Sequence, residues 1–143
     1  MEALTFPGTL DSLELIRKYV KEAAEKAGLQ KKSTYRLCLA VDEIAANSVI
    51  HGYEEAGLQG ALKVHAELDD ASLKIILEDE GHAFDPRHAP PPDHKDLPIE
   101  ERPIGGLGVY LTLKGVDEFQ YERKGKWNRH IFNMRRASEC SQS

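Results

Sequence analysis

Residues 60–81, GALKVHAELDDASLKIILEDEG, alternate apolar and polar side chains on either side of Asp69-Asp70. Alternation of period two turns one face of an extended chain toward a core, and a polar break between two such runs marks a turn. This predicts a β-hairpin from Ala61 to about Asp79. Upstream the spacing is helical. Leu13, Ile16, Val20, Ala23 and Ala27 recur at helical intervals, with Thr9 or Asp11 as the cap and Gly28 as the terminator. A second helix is predicted from about Ser33 to about His51, ending at Gly52, and ALTFPG reads as a leading strand stopped by Pro7-Gly8. Downstream, GGLGVYLTLKG reads as a glycine-initiated helix. DEFQYER and RHIFNMRR then form two closing strands joined at Lys124-Gly125-Lys126. The order β-α-α-β-β-loop-α-β-β predicts an α+β fold, a two-layer sandwich of helices on a mixed, mostly antiparallel sheet.

A chain of 143 residues, 41% hydrophobic and 30% charged, suits one domain with a sizeable core. Its net charge of −5 argues against nonspecific nucleic-acid or anionic-membrane binding, though not against a basic pocket for a small anion. No apolar run approaches the roughly 20 residues of a membrane span. MEALTFPGTLDSLEL carries acidic residues and no basic region ahead of an apolar stretch, which is unlike a secretory signal. The two cysteines, Cys38 in an apolar helix and Cys140 in a Ser-rich tail (137–143, expected to be disordered), read as unrelated thiols of a reducing compartment. A cytoplasmic protein is expected.

The second helix poses the chemical question. Leu37, Leu39, Val41, Ile44, Ala45, Val49 and Ile50 are expected to be buried, yet Glu43, Asn47 and His51 recur at i, i+4 and i+8, on nearly one face. A polar line on a helix ordinarily faces water. Here its neighbours Ala40, Ala46 and Ile50 are small or apolar, and Asn is a poor helix-interior residue. An amide oxygen is a hard ligand suited to Mg²⁺, and a carboxylate one turn away can take a proton or orient a hydroxyl.

Two further elements carry chemistry. Asp79 closes an apolar strand, where a carboxylate can accept a hydrogen bond from an exocyclic amine such as adenine N6, and Gly81 lets backbone approach a planar ring. Gly105, Gly106 and Gly108 open a helix at a cost in helix propensity, and a glycine-rich helix start is an anion site. The run is neither GxxxxGK[ST] nor GxGxxG. Between these elements, residues 81–104 hold six of the seven prolines, a loop of a length that is usually functional or disordered. His82, His88 and His94 in that loop have no cysteine nearby and read as solvated rather than metal-binding. No Ser–His–Asp or Cys–His arrangement is readable, and Cys38 is expected in the core.

Taken in order, Glu-x-x-x-Asn-x-x-x-His-Gly-Tyr (43–53), Asp-x-Gly-x-x-Phe-Asp-Pro (79–86) and Gly-Gly-Leu-Gly (105–108) resemble the N, G1 and G2 boxes of the GHKL, or Bergerat-fold, ATPases. Within that superfamily DEIAANSVIHGY, FDP and RPIGGLGVYL look like the anti-sigma-factor serine kinases of bacterial partner switching, over about Leu4 to Arg136. The resemblance implies a histidine-kinase-like ATPase domain at 1–136 that uses ATP and Mg²⁺. By it Asn47 is the Mg²⁺ ligand and Glu43 the general base. Asp79 reads adenine, Gly81 lies against the base, and Gly105, Gly106, Leu107 and Gly108 cradle the phosphates. Residues 82–104 become the ATP lid. The implied activity is serine/threonine protein kinase, with a STAS-domain antagonist as substrate and a sigma factor or similar regulator as second partner; family members commonly form homodimers. Two departures stand out: Ala83 replaces a glycine common in the superfamily, and Pro90 to Pro92 should stiffen the lid. His51 occupies a common family position without an assigned role. The alternatives are an adaptor that uses ATP only to set its conformation, a detached histidine-kinase catalytic domain, and a small metal-binding protein resting on the loop histidines.

Overall fold

The computed structural model describes residues 1–81 and 113–136. The loop expected at 82–104, most of the glycine-initiated helix and the tail at 137–143 lie outside them. The elements are β1 (Leu4–Pro7), α1 (Leu13–Ala27), α2 (Lys31–Asn47), β2 (Ala61–Leu68), β3 (Ser72–Asp79), β4 (Glu118–Lys124) and β5 (Trp127–Arg135). A 3₁₀ turn, Leu10–Ser12, precedes α1, and a π-helical segment, Ser48–Glu54, prolongs α2. The predicted hairpin appears with its predicted bounds.

The sheet order is β1-β2-β3-β5-β4. All four strand pairs are antiparallel, so the sheet is antiparallel throughout the described residues. Each strand is a meander neighbour except where β3 meets β5, and β4 is thereby left at an edge. The inner face carries Leu62, Val64 and Ala66 of β2, Leu73, Ile75 and Leu77 of β3, and Phe132 and Met134 of β5, all buried. Against it α1 presents Ile16, Tyr19, Val20, Ala23, Ala24 and Ala27, and α2 presents Leu37, Ala40, Val41, Ile44 and Ala45. These side chains form one apolar cluster, the two-layer core the sequence order predicts.

The helix ends follow the expected devices only in part. Gly28 does terminate α1: it adopts φ 73°, the left-handed conformation that favours glycine, and Leu29 N–H donates to the Ala24 carbonyl at 3.1 Å. Neither Thr9 nor Asp11 caps through its side chain; instead the Ser12 hydroxyl donates to the Pro7 carbonyl at 2.6 Å, tying the entry of α1 to β1. The second helix begins at Lys31 and does not stop at Gly52. Past Asn47 it widens, with Glu55 N–H reaching Ile50 O and Leu58 N–H reaching Tyr53 O, both at 2.8 Å. Widened turns of this kind concentrate at functional sites. Two side chains expected in the core are not there: Leu39 is 42% exposed and Ile50 is only half-buried. The face of α2 that meets α1 and the sheet is filled by Leu37, Ala40, Val41 and Ile44, which leaves Leu39 on the far side. Cys38 is partly buried against the core, as expected, and burial pushes its thiol pKa up.

Candidate functional site

The inner face of the sheet changes character at one end. Along β5, alternation carries Met134 and Phe132 into the core and then brings His130 and Asn128 to the same face. Their cross-strand neighbours are Leu77 and Asp79 on β3, and Tyr121 and Arg123 on β4. A polar cluster therefore continues the apolar core where β3 ends. It is nearly sealed from water: Asp79 is 2% exposed, Asn128 2% and His130 3%.

Asp79 is the centre of this cluster. Its Oδ1 accepts from the Gly81 amide at 2.9 Å and from Asn128 Nδ2 at 2.8 Å. Its Oδ2 accepts from the Ser48 hydroxyl at 2.9 Å and lies 3.1 Å from His130 Nε2. Burial alone pushes the Asp79 carboxyl pKa up, but the hydrogen bond and coulombic attraction of His130, with the Asn128 and Gly81 donors, outweigh it and hold the group below the usual carboxylate range. Asp79 is thus a buried anion. The cluster is braced from behind: Asn128 Oδ1 accepts from the Tyr121 hydroxyl and from Arg123 Nη1, and the Gly81 carbonyl accepts from Arg123 Nη1 at 2.9 Å and Asn128 Nδ2 at 3.1 Å. His130 Nδ1 is buried with no hydrogen-bond partner among the described residues.

The widened end of α2 docks on this strand end. Ser48 bonds to Asp79, and Gly52 packs against Gly81. Ahead of Ser48 stand the two residues singled out in the sequence, Asn47 next to it and Glu43 one turn further back. Glu43 and Asn47 are half-buried, and neither side chain has a hydrogen bond among the described residues. Burial, with a smaller contribution from the Asp42 charge, raises the Glu43 carboxyl pKa. A carboxyl of raised basicity beside an uncommitted amide oxygen is the donor set a hydroxyl substrate and a hard cation require. Among the described residues no group of three or more His, Cys, Asp or Glu could hold a metal, so these residues alone do not complete a cation site. Mg²⁺ is commonly held by one or two protein ligands and substrate phosphates.

The structure thus brings together the elements bearing Glu43, Asn47, Asp79 and Gly81. His51 is engaged elsewhere, with Nδ1 2.7 Å from Glu55 Oε1 at the surface. Gly105, Gly106, Leu107 and Gly108, like His82, His88 and His94, lie outside the described residues. Sequence reasoning missed Ser48, Tyr121, Arg123, Asn128 and His130. One signal could have found two of them: in RHIFNMRR the parity that buries Phe132 and Met134 also places His130 inward, and Asn128 follows.

The model of the family described as "Histidine kinase-like ATPase domain" matches residues 6–132. This chain belongs to that family. Proteins named serine-protein kinase RsbW, from Staphylococcus aureus strains MRSA252 and Newman, are each 29% identical to it over 115 residues, covering 78% of this chain and 72% of theirs. Among solved structures, a blue-light activated histidine kinase of Erythrobacter litoralis superposes with a TM-score of 0.53 at 20% identity, covering 76% of this chain and 32% of that one. The histidine kinase domain of the same protein gives 0.53 at 17% identity, covering 91% and 61%. This chain therefore spans about a third of the length of the first structure and about three-fifths of the second. Those likenesses carry the fold, and they agree with the helices-on-antiparallel-sheet architecture of a histidine kinase-like ATPase domain. No helix among the described residues is long and apolar enough to cross a membrane.

Proposed function

We propose that this histidine kinase-like ATPase domain is a protein serine/threonine kinase that transfers the ATP γ-phosphate to a partner's hydroxyl. The observation that carries the reading is the pairing of an uncommitted, basicity-raised Glu43 and an uncommitted Asn47 with a buried, charged Asp79 at the adjoining strand end. The name of the Staphylococcus aureus relatives supports the transfer activity.

Each residue then has one task. Asp79 accepts a hydrogen bond from the adenine amine, and Gly81 lies beside the base. The N–H groups at Gly105, Gly106, Leu107 and Gly108 cradle the phosphates at a helix start, and residues 82–104 form the lid over them. Asn47 offers its amide oxygen to Mg²⁺, which when bound supplies neutralisation of the phosphate charge. Glu43 takes the proton of the attacking hydroxyl, and its raised basicity suits that task. The partner is a small STAS-domain antagonist, and a sigma factor or similar regulator is sequestered by the same chain in a cytoplasmic switch.

Incubation with γ-labelled ATP, Mg²⁺ and a candidate STAS-domain protein tests this. Phosphoserine or phosphothreonine on the partner is the expected result. Nucleotide-dependent binding without phosphate on the partner makes the chain an adaptor, and a melting temperature flat across millimolar Mg·ATP removes the nucleotide site itself.

A further inference from the structure

Every acceptor position of the Asp79 carboxylate is already filled by the protein. An ionised carboxylate offers about four lone-pair sites, and Asp79 receives Gly81 N, Asn128 Nδ2, Ser48 Oγ and His130 Nε2 at 2.9, 2.8, 2.9 and 3.1 Å. An exocyclic amine can reach this group only where one of those donors gives way.

The four are not held alike. Gly81 N is backbone. Asn128 is fixed at both ends of its amide, with Nδ2 also on the Gly81 carbonyl and Oδ1 accepting from Tyr121 and Arg123. The His130 ring is 3% exposed and lies against Phe119 and Tyr121, with ring centroids 6.3 and 5.4 Å away. Ser48 differs. Its hydroxyl turns about a single bond and makes no other hydrogen bond among the described residues. From a helix, a serine hydroxyl can also be received by a carbonyl of the preceding turn.

We infer that Ser48 is a positioning residue for base recognition: its hydroxyl occupies Asp79 Oδ2 while the site is empty and yields that position to the amine of a 6-aminopurine. The inference rests on the nucleotide-site reading above. The Ser48–Asp79 bond keeps a buried charge satisfied in the empty protein and competes with the base for the same oxygen. Removing the hydroxyl removes the competitor, so affinity rises for a base that brings its own donor. A 6-oxopurine, which presents an acceptor at that atom, gains nothing.

Calorimetric titration of ATP and ITP with Mg²⁺ into the wild type and Ser48→Ala decides it. The expected result is a Kd for ATP roughly 3- to 10-fold lower in Ser48→Ala, the scale of one exchanged hydrogen bond. The Kd for ITP stays unchanged and the empty protein melts earlier. Ser48→Cys, of similar shape and with a weak donor, shifts in the same direction and serves where the alanine variant does not fold; Ser48→Thr, which keeps the hydroxyl, restores wild-type binding. Weaker or unchanged ATP binding in Ser48→Ala and Ser48→Cys, or an equal gain for ITP, overturns the inference and leaves the site reading standing. A wild type that binds neither nucleotide overturns both.

Discussion

Gly81 abuts the backbone of Gly52 so closely that a Cβ on Gly81 would lie 2.6 Å from the Gly52 carbonyl oxygen and 2.9 Å from its Cα. The contact is one-sided: a Cβ on Gly52 would meet Gly81 Cα at 3.7 Å and Asp79 Oδ1 at 3.8 Å, ordinary packing distances. Backbone cannot swing aside as a side-chain tip can. Gly81→Ala must therefore push the end of β3 away from the widened turn of α2, and overpacking of this kind costs about 1–3 kcal/mol. Gly52→Ala should fold with little loss. Urea unfolding of the two variants checks the asymmetry, and equal destabilisation contradicts it.

Tyr53 holds the same junction from below. It is 2% exposed, its hydroxyl donates to the Ala61 carbonyl at 2.6 Å and accepts from the Glu80 amide at 2.7 Å. Burial pushes that hydroxyl up to about 12, against the pull of the Glu80 amide. Tyr53→Phe keeps the ring and removes a partner from two part-buried backbone groups, which should cost about 2 kcal/mol, the low end of about 1–3 for each. Denaturant midpoints with an unchanged m-value provide the measurement.

The sequence was most legible where one local rule acted alone. Alternation on either side of Asp69-Asp70, interrupted by Ile76 in β3, marks β2 and β3, and the turn agrees: Asp69 Oδ1 accepts from the Ala71 and Ser72 amides, both at 2.7 Å. Gly28 likewise announces its own helix end. The widened turn was not legible. Val49 and Tyr53 keep an i, i+4 spacing that an α-helix satisfies equally well, and the widening answers to contacts from Ala61 and Glu80, far along the chain. Gly52 reads locally as a stop, whereas its use is tertiary. Of the site, Glu43, Asn47, Asp79 and Gly81 stood out as residue types in unusual places. The donors that keep Asp79 charged did not, because Ser48, Asn128 and His130 acquire meaning only when β5 and α2 arrive beside β3.

Two carboxyls displaced in opposite directions give opposite pH signatures. Asp79 lies below its unfolded value of about 3.9, so its contribution to stability is fully present above that pH and is lost as pH falls through the lower folded value. Glu43 lies above its unfolded value of about 4.3, so it favours folding below that pH and loses this contribution as pH rises through the folded value. Melting temperatures from pH 3 to pH 8 should therefore show Glu43→Gln at or above the wild type at pH 8, the gap closing toward pH 4. Asp79→Asn should fall below the wild type at pH 8, the gap narrowing as pH falls toward 3. A gap for Glu43→Gln that widens toward acid would refute the assignment.

The same two carboxyls separate by function. In the proposed roles Asp79 bonds to the base before and during transfer, so its loss should act on binding; a hydrogen bond to a charged group is worth about 1.5–3 kcal/mol. Asp79→Asn also turns an amide nitrogen toward protein donors, so it should lose stability, each buried polar group left unsatisfied costing about 1–3 kcal/mol. Its nucleotide affinity must be measured on protein confirmed to be folded. Glu43 is the proposed base for the attacking hydroxyl, a role exercised chiefly in the transition state, where general-base assistance contributes about 10²–10⁴-fold. Glu43→Gln should bind ATP nearly as the wild type does and lose most phosphate transfer. Asn47→Ala should abolish the Mg²⁺ dependence of ATP binding, since its amide oxygen is the proposed protein ligand. Calorimetry beside transfer rates on the three variants decides among these roles. Wild-type transfer by Glu43→Gln would mean that the proton leaves to water or phosphate, and the half-buried carboxyl one turn from Asn47 would then be a feature of binding alone.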